Sequence, residues 1–377
     1  MGLPMGLPVL FCPQCNALIY DADQCSNCTW HRPATSGTVG KPAWAVALES
    51  ALPSKLSHPV SNGNYVFFPT DSGEIVALNA LEAEPEQAIK WRFRIDSRYR
   101  CHSVAVWDEH VVIGSEFAGG FPTPSGELIV VDAASGAEVW RYQIEGASLS
   151  VPVIHENIAY FTVSSGRLYA VDLKTRKELW QQEIPSPWSW APYAPTRSPT
   201  ELLILPGRSD HLVAFDIQKR NLAWTFDGGG WFTHSPVWVD GTLYARCWDQ
   251  HIYALEGTSG RKIWQYRALR DYSSDLRLSD TYLYVGAKDF QDGAEQGANA
   301  YALYTLDRQT GERVGRYEVA GRIFGRPLAT DSAVFFATDD RSRMIESQGT
   351  LYALDARGET PLWDPCVVEQ RFQADLL

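Results

Sequence analysis

Four of the seven cysteines in this 377-residue chain lie close together near its start, in two C-x-x-C pairs. They are Cys12, Cys15, Cys25 and Cys28, with nine residues between the pairs. Two turns that each present a pair of thiolates can supply the four sulfur ligands that Zn²⁺ prefers in structural sites. The gap is shorter than the roughly 15–20 residues of the commonest ribbon spacing, so the pattern predicts a minimal zinc ribbon. A redox dithiol and an iron–sulfur cluster remain alternatives.

Four thiolates saturate a zinc ion and leave no open position for a catalytic water, so the predicted zinc is structural. A segment of about 25 residues buries too little surface to fold alone, and metal binding would supply its folding energy. The module resembles the small zinc ribbons at the termini of many bacterial cytoplasmic proteins, although Asn16 and Thr29 replace the glycine that often follows each pair. We assign the ribbon to residues 1–32 and a short linker to residues 33–41.

A repeat accounts for most of the remaining sequence. Seven short runs rich in β-formers each end at an acidic residue or asparagine: EIVALNA (74–80), ELIVVDA (127–133), RLYAVDL (167–173), HLVAFDI (211–217), HIYALEG (251–257), ALYTLDR (302–308) and TLYALDA (350–356). A tryptophan follows eight residues after that position in five copies: Trp140, Trp180, Trp224, Trp264 and Trp363. In the first copy an insertion moves it to Trp91, and in the sixth Gly315 takes its place. The stretch between predicts a turn in which the acidic side chain bonds turn amides.

Two further strand candidates precede each run, so each repeat holds about four short antiparallel strands, A to D. Four strands recurring seven times indicate an all-β fold, a seven-bladed β-propeller of four-stranded blades over residues 42–377. An eighth tryptophan, Trp44, opens a strand candidate with no run before it. The C-terminal alternative carries Pro365, which lacks a ladder donor, so we predict that the Trp44 strand is the outer strand of the last blade.

The pattern L-Y-A-[LV]-D-x-x-[TS]-G-x-x-x-W resembles the quinoprotein-like (PQQ-repeat) propeller family over roughly residues 42–370. This resemblance implies that each tryptophan docks between neighbouring blades. In enzymatic members the quinone is stacked between a tryptophan and a disulfide of adjacent cysteines, beside a calcium or related ion. This chain has no Cys-Cys pair, so we expect a non-enzymatic member without PQQ. The channel candidates His58, His234 and Asp275 come from different blades and make no recognisable triad.

Strand order places the B–C and D–A loops on one face of the predicted propeller. Aromatic residues stand beside arginines in the loops of this face, which is the composition of a protein-binding hot spot. The predicted partner-binding residues are Arg98, Tyr99, Arg100, Trp188, Trp190, Trp231, Phe232, Arg270 and Tyr272. The alternative is that these rings cap the blade ends against water.

A formal net charge of −12 argues against non-specific binding to nucleic acid or to anionic lipid. The sequence has no apolar run of membrane-spanning length and no recognisable secretory signal at its start, so we expect a cytoplasmic protein that does not bind a membrane. The single cysteines Cys101, Cys247 and Cys366 fit reduced thiols in that compartment.

These features favour a non-enzymatic scaffold or adaptor in a bacterial cytoplasmic multiprotein system. By analogy, its protein partners would include a MoxR-type ATPase or a von Willebrand A domain protein. The competing hypothesis is an enzyme that uses the axial pocket, either a quinone-dependent dehydrogenase or a hydrolase or lyase. A third, an envelope lipoprotein like the propeller of the outer-membrane barrel machinery, lacks support from any lipobox in this sequence.

Overall fold

The computed structural model describes residues 10–11, 18–19, 59–70, 73–79, 85–96, 99–117, 125–145, 149–184, 194–207, 209–232, 234–267, 271–272, 274–289, 300–319, 321–340, 348–362 and 366–368. The chain divides into two compact units. Unit 1 comprises residues 1–160, 170–179 and 377, and unit 2 comprises residues 161–169 and 180–376. No helix within the described part of the chain is long and apolar enough to cross a bilayer.

The described secondary structure is almost entirely strand. A two-stranded ribbon pairs β1 (Leu10–Phe11) with β2 (Leu18–Ile19). Sheet 1 contains β3 (Val60–Ser61), β4 (Val66–Pro69), β5 (Glu74–Leu78) and β6 (Ile89–Arg94), with the short helix α1 (Pro85–Ala88) before β6. Sheet 2 contains β7 (Tyr99–Trp107), β8 (His110–Phe117), β9 (Ser125–Asp132) and β10 (Glu138–Glu145). Sheet 3 contains β11 (Val153–His155), β12 (Ile158–Val163), β13 (Arg167–Asp172) and β14 (Lys177–Glu183).

The strands of sheets 4 to 7 follow in chain order: for sheet 4, β15 (Thr196–Arg197), β16 (Leu202–Leu205), β17 (His211–Asp216) and β18 (Asn221–Asp227); for sheet 5, β19 (Val237–Val239), β20 (Thr242–Arg246), β21 (His251–Glu256) and β22 (Lys262–Arg267); for sheet 6, β23 (Asp271–Tyr272), β24 (Arg277–Leu278), β25 (Tyr282–Asp289), β26 (Ala300–Asp307) and β27 (Arg313–Val319); and for sheet 7, β28 (Arg322–Ala329), β29 (Ala333–Asp340), β30 (Gln348–Asp355) and β31 (Cys366–Val368).

Within the described residues the strands of each of the seven sheets pair in sequence order and antiparallel. Sheet 6 keeps the four-strand plan, because its first strand is in two pieces, β23 and β24, that both pair with β25. The prediction of an all-β chain with seven four-stranded antiparallel sheets is confirmed, and the arrangement is consistent with a β-propeller.

Burial differs between the inner and outer strands of a sheet. In sheet 3, Leu168 to Val171 of β13 are buried, whereas the outer strand β14 alternates between exposed and half-buried side chains up to Trp180 and is exposed at its last three residues. A strand covered on both faces needs apolar residues throughout, and an edge strand with one wet face needs them only at alternate positions. The cores lie between neighbouring sheets; one joins Tyr244 and Trp264 of sheet 5 to Leu283 of sheet 6.

In sheets 1, 2, 4, 5 and 6 a β-bulge precedes the tryptophan position of the outer strand. Opposite Ala254 and Leu255, for example, stand Trp264 and Lys262, so Ile263 has no partner in the ladder. The same slip occurs in sheets 1, 2, 4 and 6. An extra residue bends the strand and increases its twist. The outer strand is therefore re-aimed at the point where its tryptophan begins.

Trp91, Trp224 and Trp264 each donate a hydrogen bond to the next sheet. The indole Nε1 of Trp91 lies 2.9 Å from the carbonyl oxygen of Ala133, that of Trp224 2.9 Å from Gly257 and that of Trp264 3.1 Å from Arg308. Each acceptor directly follows the acidic position of its own repeat. The docking of these tryptophans between neighbouring sheets is confirmed, and it ties each outer strand to the turn of the next repeat.

The acidic position organises that turn. One carboxylate oxygen of Asp172 accepts hydrogen bonds from the amides of Lys174 and Thr175, both at 2.9 Å. The amide and hydroxyl of Thr175 hold the pKa of Asp172 below its usual value despite some burial. Asp132 accepts from the hydroxyl and the amide of Ser135, and its pKa is lowered for the same reason. The predicted turn chemistry is confirmed at these positions.

The junction between sheets 6 and 7 lacks the tryptophan. A Cβ at Gly315 would overlap the carbonyl oxygen of Arg357, so no larger side chain fits there. The carbonyl that a tryptophan would bond, that of Ala356, instead accepts the hydroxyl of Tyr284 at 2.6 Å. A tyrosine from the second strand of sheet 6 thus supplies the missing donor.

The prediction for the last sheet is wrong. Its fourth strand is Cys366–Val368, which pairs with β30 from Gly349 to Leu351. Pro365 does not prevent this pairing, because the strand begins directly after it and no ladder donor is needed at the proline. The Trp44 segment lies outside the described residues.

Candidate protein-interaction site

The structure describes part of the predicted partner-binding face. Eight predicted residues lie outside the described residues: the four zinc ligands, Cys12, Cys15, Cys25 and Cys28, and Arg98, Trp188, Trp190 and Arg270 of the binding face. Arg100 and Tyr272 lie in β7 and β23, and only the backbone of these two residues is described. Tyr99 starts β7 in unit 1 and is half-buried. Trp231 and Phe232 lie together in the D–A loop between sheets 4 and 5, and the site is built around them.

Trp231 forms a pair with a second tryptophan, Trp248, which is not among the residues predicted from the sequence. The ring centroids of Trp231 and Trp248 are 5.1 Å apart, with 38° between the ring planes. Trp231 is 41% exposed and Trp248 62%, the highest exposure among the large apolar residues that the structure describes. Trp248 lies in the four-residue B–C turn of sheet 5, whereas the predicted residues come from the D–A loops. An aromatic ring in so short a turn was the signal available.

Three consecutive glycines set the Trp231 loop against the turn that carries Trp248. A Cβ at Gly230 would lie 2.8 Å from the amide nitrogen of Asp249, and one at Gly229 would lie 3.0 Å from the Asp249 side chain. The amide of Trp248 donates to the carbonyl of Trp231 at 2.9 Å. The thiol of Cys247 donates to the carbonyl of Gly230 at 3.0 Å. The backbones of the two tryptophans are therefore fixed to each other.

Asp249 is the polar centre of this contact. Its carboxylate accepts the amides of Gly229 at 3.0 Å and His251 at 2.9 Å, and also the hydroxyl of Tyr253. Burial raises the pKa of Asp249, but these hydrogen bonds outweigh it and the net pKa is lowered. Burial, followed by the hydrogen bond to Asp249 and then its charge, raises the pKa of Tyr253. Burial also raises the pKa of Cys247 to about 12, so this thiol is protonated and unreactive at neutral pH.

Phe232 is fully buried, which corrects its assignment to the partner-binding surface. Its ring packs on those of Phe226 and Tyr253, with both centroid distances at 6.2 Å. Its carbonyl accepts the amide of Gly207 at 2.9 Å. The loop needs an apolar anchor beneath it, and Phe232 supplies that anchor, so it supports Trp231 rather than contacting a partner.

Two exposed carboxylates flank the glycine loop. The side chains of Asp210 and Asp227 are 64% and 76% exposed, and His211 lies between them. The His211 Nδ1 is 2.5 Å from one Asp227 oxygen, and its Nε2 is 3.4 Å from Asp210. The amide of Gly228 donates to the Asp210 carbonyl at 2.7 Å, which places this acidic pair directly beside the glycines.

A separate cluster lies where sheets 5 and 6 begin. The guanidinium of Arg246, which is almost buried, donates to the carbonyl of Ser274 and contacts the ring of His234. The Nε2 of His234 is 3.6 Å from a carboxylate oxygen of Asp275. The structure thus brings His234 and Asp275 together, whereas His58, the third channel candidate, lies outside the described residues. Because a permanent cation contacts the imidazole, the cluster is an internal ion network that disfavours a metal ion at this ring.

Comparison with known proteins places the repeats in a family. A family model of the PQQ-repeat type, described as outer membrane protein assembly factor BamB, matches residues 34–187 and 164–291. The chain belongs to this family. The match agrees with the β-propeller fold and the PQQ-like repeat recognised in the sequence, and it supports protein partners at a general level.

Individual relatives are distant. A 1-butanol dehydrogenase (quinone) of Thauera butanivorans is 30% identical over 124 residues, which is 32% of this chain but only 19% of the dehydrogenase. The crystal structure of BamB from Moraxella catarrhalis matches with a TM-score of 0.55 at 18% identity, covering 80% of this chain and 79% of that one. A computationally designed protein, Ika8, matches with a TM-score of 0.64 at 14% identity, covering 88% and 91%. The two structures show the fold alone.

The described residues do not fit the quinone site that the family resemblance implies. That site needs adjacent cysteines, whereas Cys101 and Cys247 are free, buried and far apart in sequence. Burial raises the pKa of Cys101 to about 12 as well. In the described part of the chain no group of three or more His, Cys, Asp or Glu side chains could hold a metal ion. We therefore derive no step through PQQ.

Proposed function

We propose that this chain is a non-enzymatic scaffold of a bacterial cytoplasmic multiprotein system, and that the Trp231–Trp248 pair is a docking point for a partner protein. The observation that carries the proposal is this exposed pair, held in place by its own backbone hydrogen bond. Membership of a family described by an assembly factor supports protein partners as a class.

The energetics of interfaces favour such a pair. Tryptophan is among the residues that contribute most when a protein interface forms, because a large ring is buried for little loss of side-chain freedom. The fixed backbone beneath Trp231 and Trp248 lowers the ordering cost of binding further. An isolated exposed ring would need no explanation, but two rings in contact on a glycine-built support do.

The second module of the scaffold is the zinc ribbon of residues 1–32, with Cys12, Cys15, Cys25 and Cys28 as ligands. What supports it is their spacing, together with the antiparallel strands Leu10–Phe11 and Leu18–Ile19, which flank the first C-x-x-C pair in sequence. The ribbon offers a docking surface of its own, and the partners by analogy are a MoxR-type ATPase or a von Willebrand A domain protein.

Photo-crosslinking in the native cell tests the docking point. A full-length chain with benzoylphenylalanine at position 248 is compared with one that carries it at position 263, where Ile263 is 47% exposed on an outer strand. We expect a defined protein to be captured from position 248 and not from position 263, and Trp231→Ala to reduce that capture at least fivefold. Capture of no protein, or of the same proteins from both positions, would overturn the proposal.

Two other functions have an observation in their favour. The quinone dehydrogenase relative favours the enzyme hypothesis, with the axial pocket as its site; a quinone spectrum in the protein purified from its own cells would support it. The family description favours outer-membrane assembly. Cell fractionation separates that function from the proposed one, because the scaffold is expected in the cytosol and an assembly factor in the envelope.

A further inference from the structure

A cavity of about 250 Å³ lies between sheets 5 and 6, and its lining residues all belong to unit 2. Asp240 comes from the A–B turn of sheet 5, and Arg308 comes from the turn that follows β26 of sheet 6. Thr242, a third lining residue, begins β20, whereas Trp248 follows the other end of that strand. The cavity is therefore separate from the Trp231–Trp248 pair.

Arg308 is unusual for its place in the repeat. It directly follows the acidic position of the sixth run, where the other six runs have small or aliphatic residues: Ala80, Ala133, Leu173, Ile217, Gly257 and Ala356. The contact that the fold uses here is the main-chain carbonyl, which accepts the indole of Trp264 and the hydroxyl of Tyr244, each at 3.1 Å. The repeat therefore does not require an arginine side chain at this position.

The guanidinium of Arg308 is held at the wall of the cavity. The side chain is only 12% exposed, and its Nη2 lies 2.8 Å from a carboxylate oxygen of Asp240, which also lines the cavity. The Nη1 atom lies 3.4 Å from the carbonyl oxygen of Ser279. A guanidinium carries five N–H donors, and these two groups are its acceptors among the described residues. A cation with donors to spare beside a cavity favours a ligand that accepts hydrogen bonds.

Apolar and aromatic side chains line the cavity beside this charge: Val239, Tyr244, Ile263 and Trp264. Ile263 is 47% exposed, because it stands at the bulge before Trp264 and has no partner in the ladder. It therefore offers apolar surface to a ligand. The volume is below the roughly 300–1,000 Å³ of sites that take drug-sized molecules, so the cavity suits a smaller one.

We propose that this cavity binds a small monocarboxylic acid with an apolar body. Its carboxylate pairs with Arg308, because a planar carboxylate matches the guanidinium fork, and its hydrocarbon part covers Ile263. The Asp240 carboxylate competes for the same guanidinium, but it is 75% exposed and water solvates it when the ligand takes its place. Because Asp240 stays nearby, a singly charged carboxylate is favoured over a doubly charged phosphate.

Three fluorinated probes of equal size test the charge preference on the full-length chain. They are 4-fluorobenzoate, 4-fluorobenzamide and 4-fluorobenzylamine, which share one ring and differ in charge, and ligand-observed fluorine NMR measures their affinities. We expect the benzoate to bind about tenfold more tightly than the amide or the amine. Absence of benzoate binding, or equal binding of the three probes, would overturn the inference.

Variants of the ion pair test the role of Arg308. Arg308→Leu should weaken benzoate binding about tenfold or more, and the fold tolerates the change because Leu173 occupies the same place in the third run. Asp240→Asn should tighten binding about threefold, because it removes the competing carboxylate. Arg261→Leu is the matched control and should change nothing, since Arg261 pairs with Glu256, is 69% exposed and is not among the residues that line the cavity.

A purely structural ion pair between Arg308 and Asp240 predicts a different result. Both variants would then lose stability in thermal melts without a change in benzoate affinity, and this outcome, or weaker binding after Asp240→Asn, would contradict the proposal. Acetyl-glycyl-phenylalanine, with its carboxyl group free or amidated, tests the source of the carboxylate. If the free peptide binds more tightly than the benzoate, the site serves a chain terminus and the assignment to a small acid is wrong. The crosslink from position 248 is independent of all these results, so the scaffold proposal is tested separately.

Discussion

A single tyrosine hydroxyl replaces the indole as hydrogen-bond donor in the repeat that lacks the tryptophan. At the junction of sheets 5 and 6, the carbonyl of Arg308 accepts both the indole of Trp264 and the hydroxyl of Tyr244, each at 3.1 Å. At the junction of sheets 6 and 7, Tyr284 donates to the equivalent carbonyl, that of Ala356. Burial raises the pKa of Tyr284 to about 12, so its hydroxyl remains a donor at all ordinary pH values.

We expect Tyr284→Phe to lower the free energy of unfolding by about 1–3 kcal/mol, because the half-buried Ala356 carbonyl then loses its side-chain donor. Tyr244→Phe is the matched control and should cost less than about 1 kcal/mol, since Trp264 still serves the Arg308 carbonyl. Urea denaturation of both variants measures the difference. Equal losses would show that the tyrosine hydroxyl does not replace the tryptophan donor.

The turn carboxylates make stability depend on acid. Hydrogen bonds lower the folded-state pKa of Asp132 and Asp172, so the stabilisation is complete above the unfolded value of about 3.9 and is lost as pH falls through the lower folded values. When denaturation midpoints are measured at pH values from 6 to 2, the midpoint should therefore decrease once the pH is below about 4. In a variant with Asp132→Asn and Asp172→Asn the fall should be shallower from a lower starting stability. Parallel curves for the two proteins would contradict this.

At the scale of elements, the docked tryptophan of one sheet requires a glycine in the turn of the next sheet. Gly260 has a φ of +71°, and a Cβ there would lie 2.6 Å from the ring of Trp224. Gly241 has a similar φ of +78° but nothing within 4 Å of a Cβ. Gly260→Ala thus combines backbone strain with a clash, whereas Gly241→Ala adds strain alone.

We expect Gly241→Ala to cost about 1–2 kcal/mol for the left-handed backbone, and Gly260→Ala to cost about 2–4 kcal/mol because the indole must also move. Thermal and urea unfolding of the two variants measure both terms. A Gly260 variant no less stable than the Gly241 variant would mean that the docked tryptophan yields freely.

The elements could be predicted from the sequence because each repeat states the same pattern seven times. Strand runs, the acidic turn and the docking tryptophan follow from local chemistry, and the structure confirms them. The fourth strand of sheet 7 could not be chosen correctly, because Pro365 was placed inside the strand when it immediately precedes it. The burial of Phe232 and the exposure of Trp248 could not be predicted, since side-chain direction in a loop depends on packing between sheets 4 and 5, which no local pattern states.

At the scale of the whole chain, the predicted zinc ribbon remains to be measured. We expect the purified protein to contain one zinc ion per chain by elemental analysis. Cys12→Ser with Cys15→Ser should remove it, because two remaining thiolates cannot complete a tetrahedral site. Cys101→Ser is the control, since this buried thiol lies in sheet 2. Iron in place of zinc, or no metal in the unaltered chain, would reject the assignment.

The contact between Gly315 and Arg357 makes the junction of sheets 6 and 7 different from the other junctions between repeats. Repeats that share one turn and one tryptophan resemble one another closely, and such chains can exchange units or pair them out of order. Sheet 7 accepts a neighbour whose outer strand carries glycine at the docking position, because its own backbone fills the space of an indole. The outer strands of sheets 1 to 5 carry a tryptophan at this position, and its indole would collide with the backbone of Arg357 in sheet 7. Gly315 thus allows sheet 6 to pack against sheet 7, and the backbone of Arg357 excludes from that place any repeat whose outer strand carries a tryptophan.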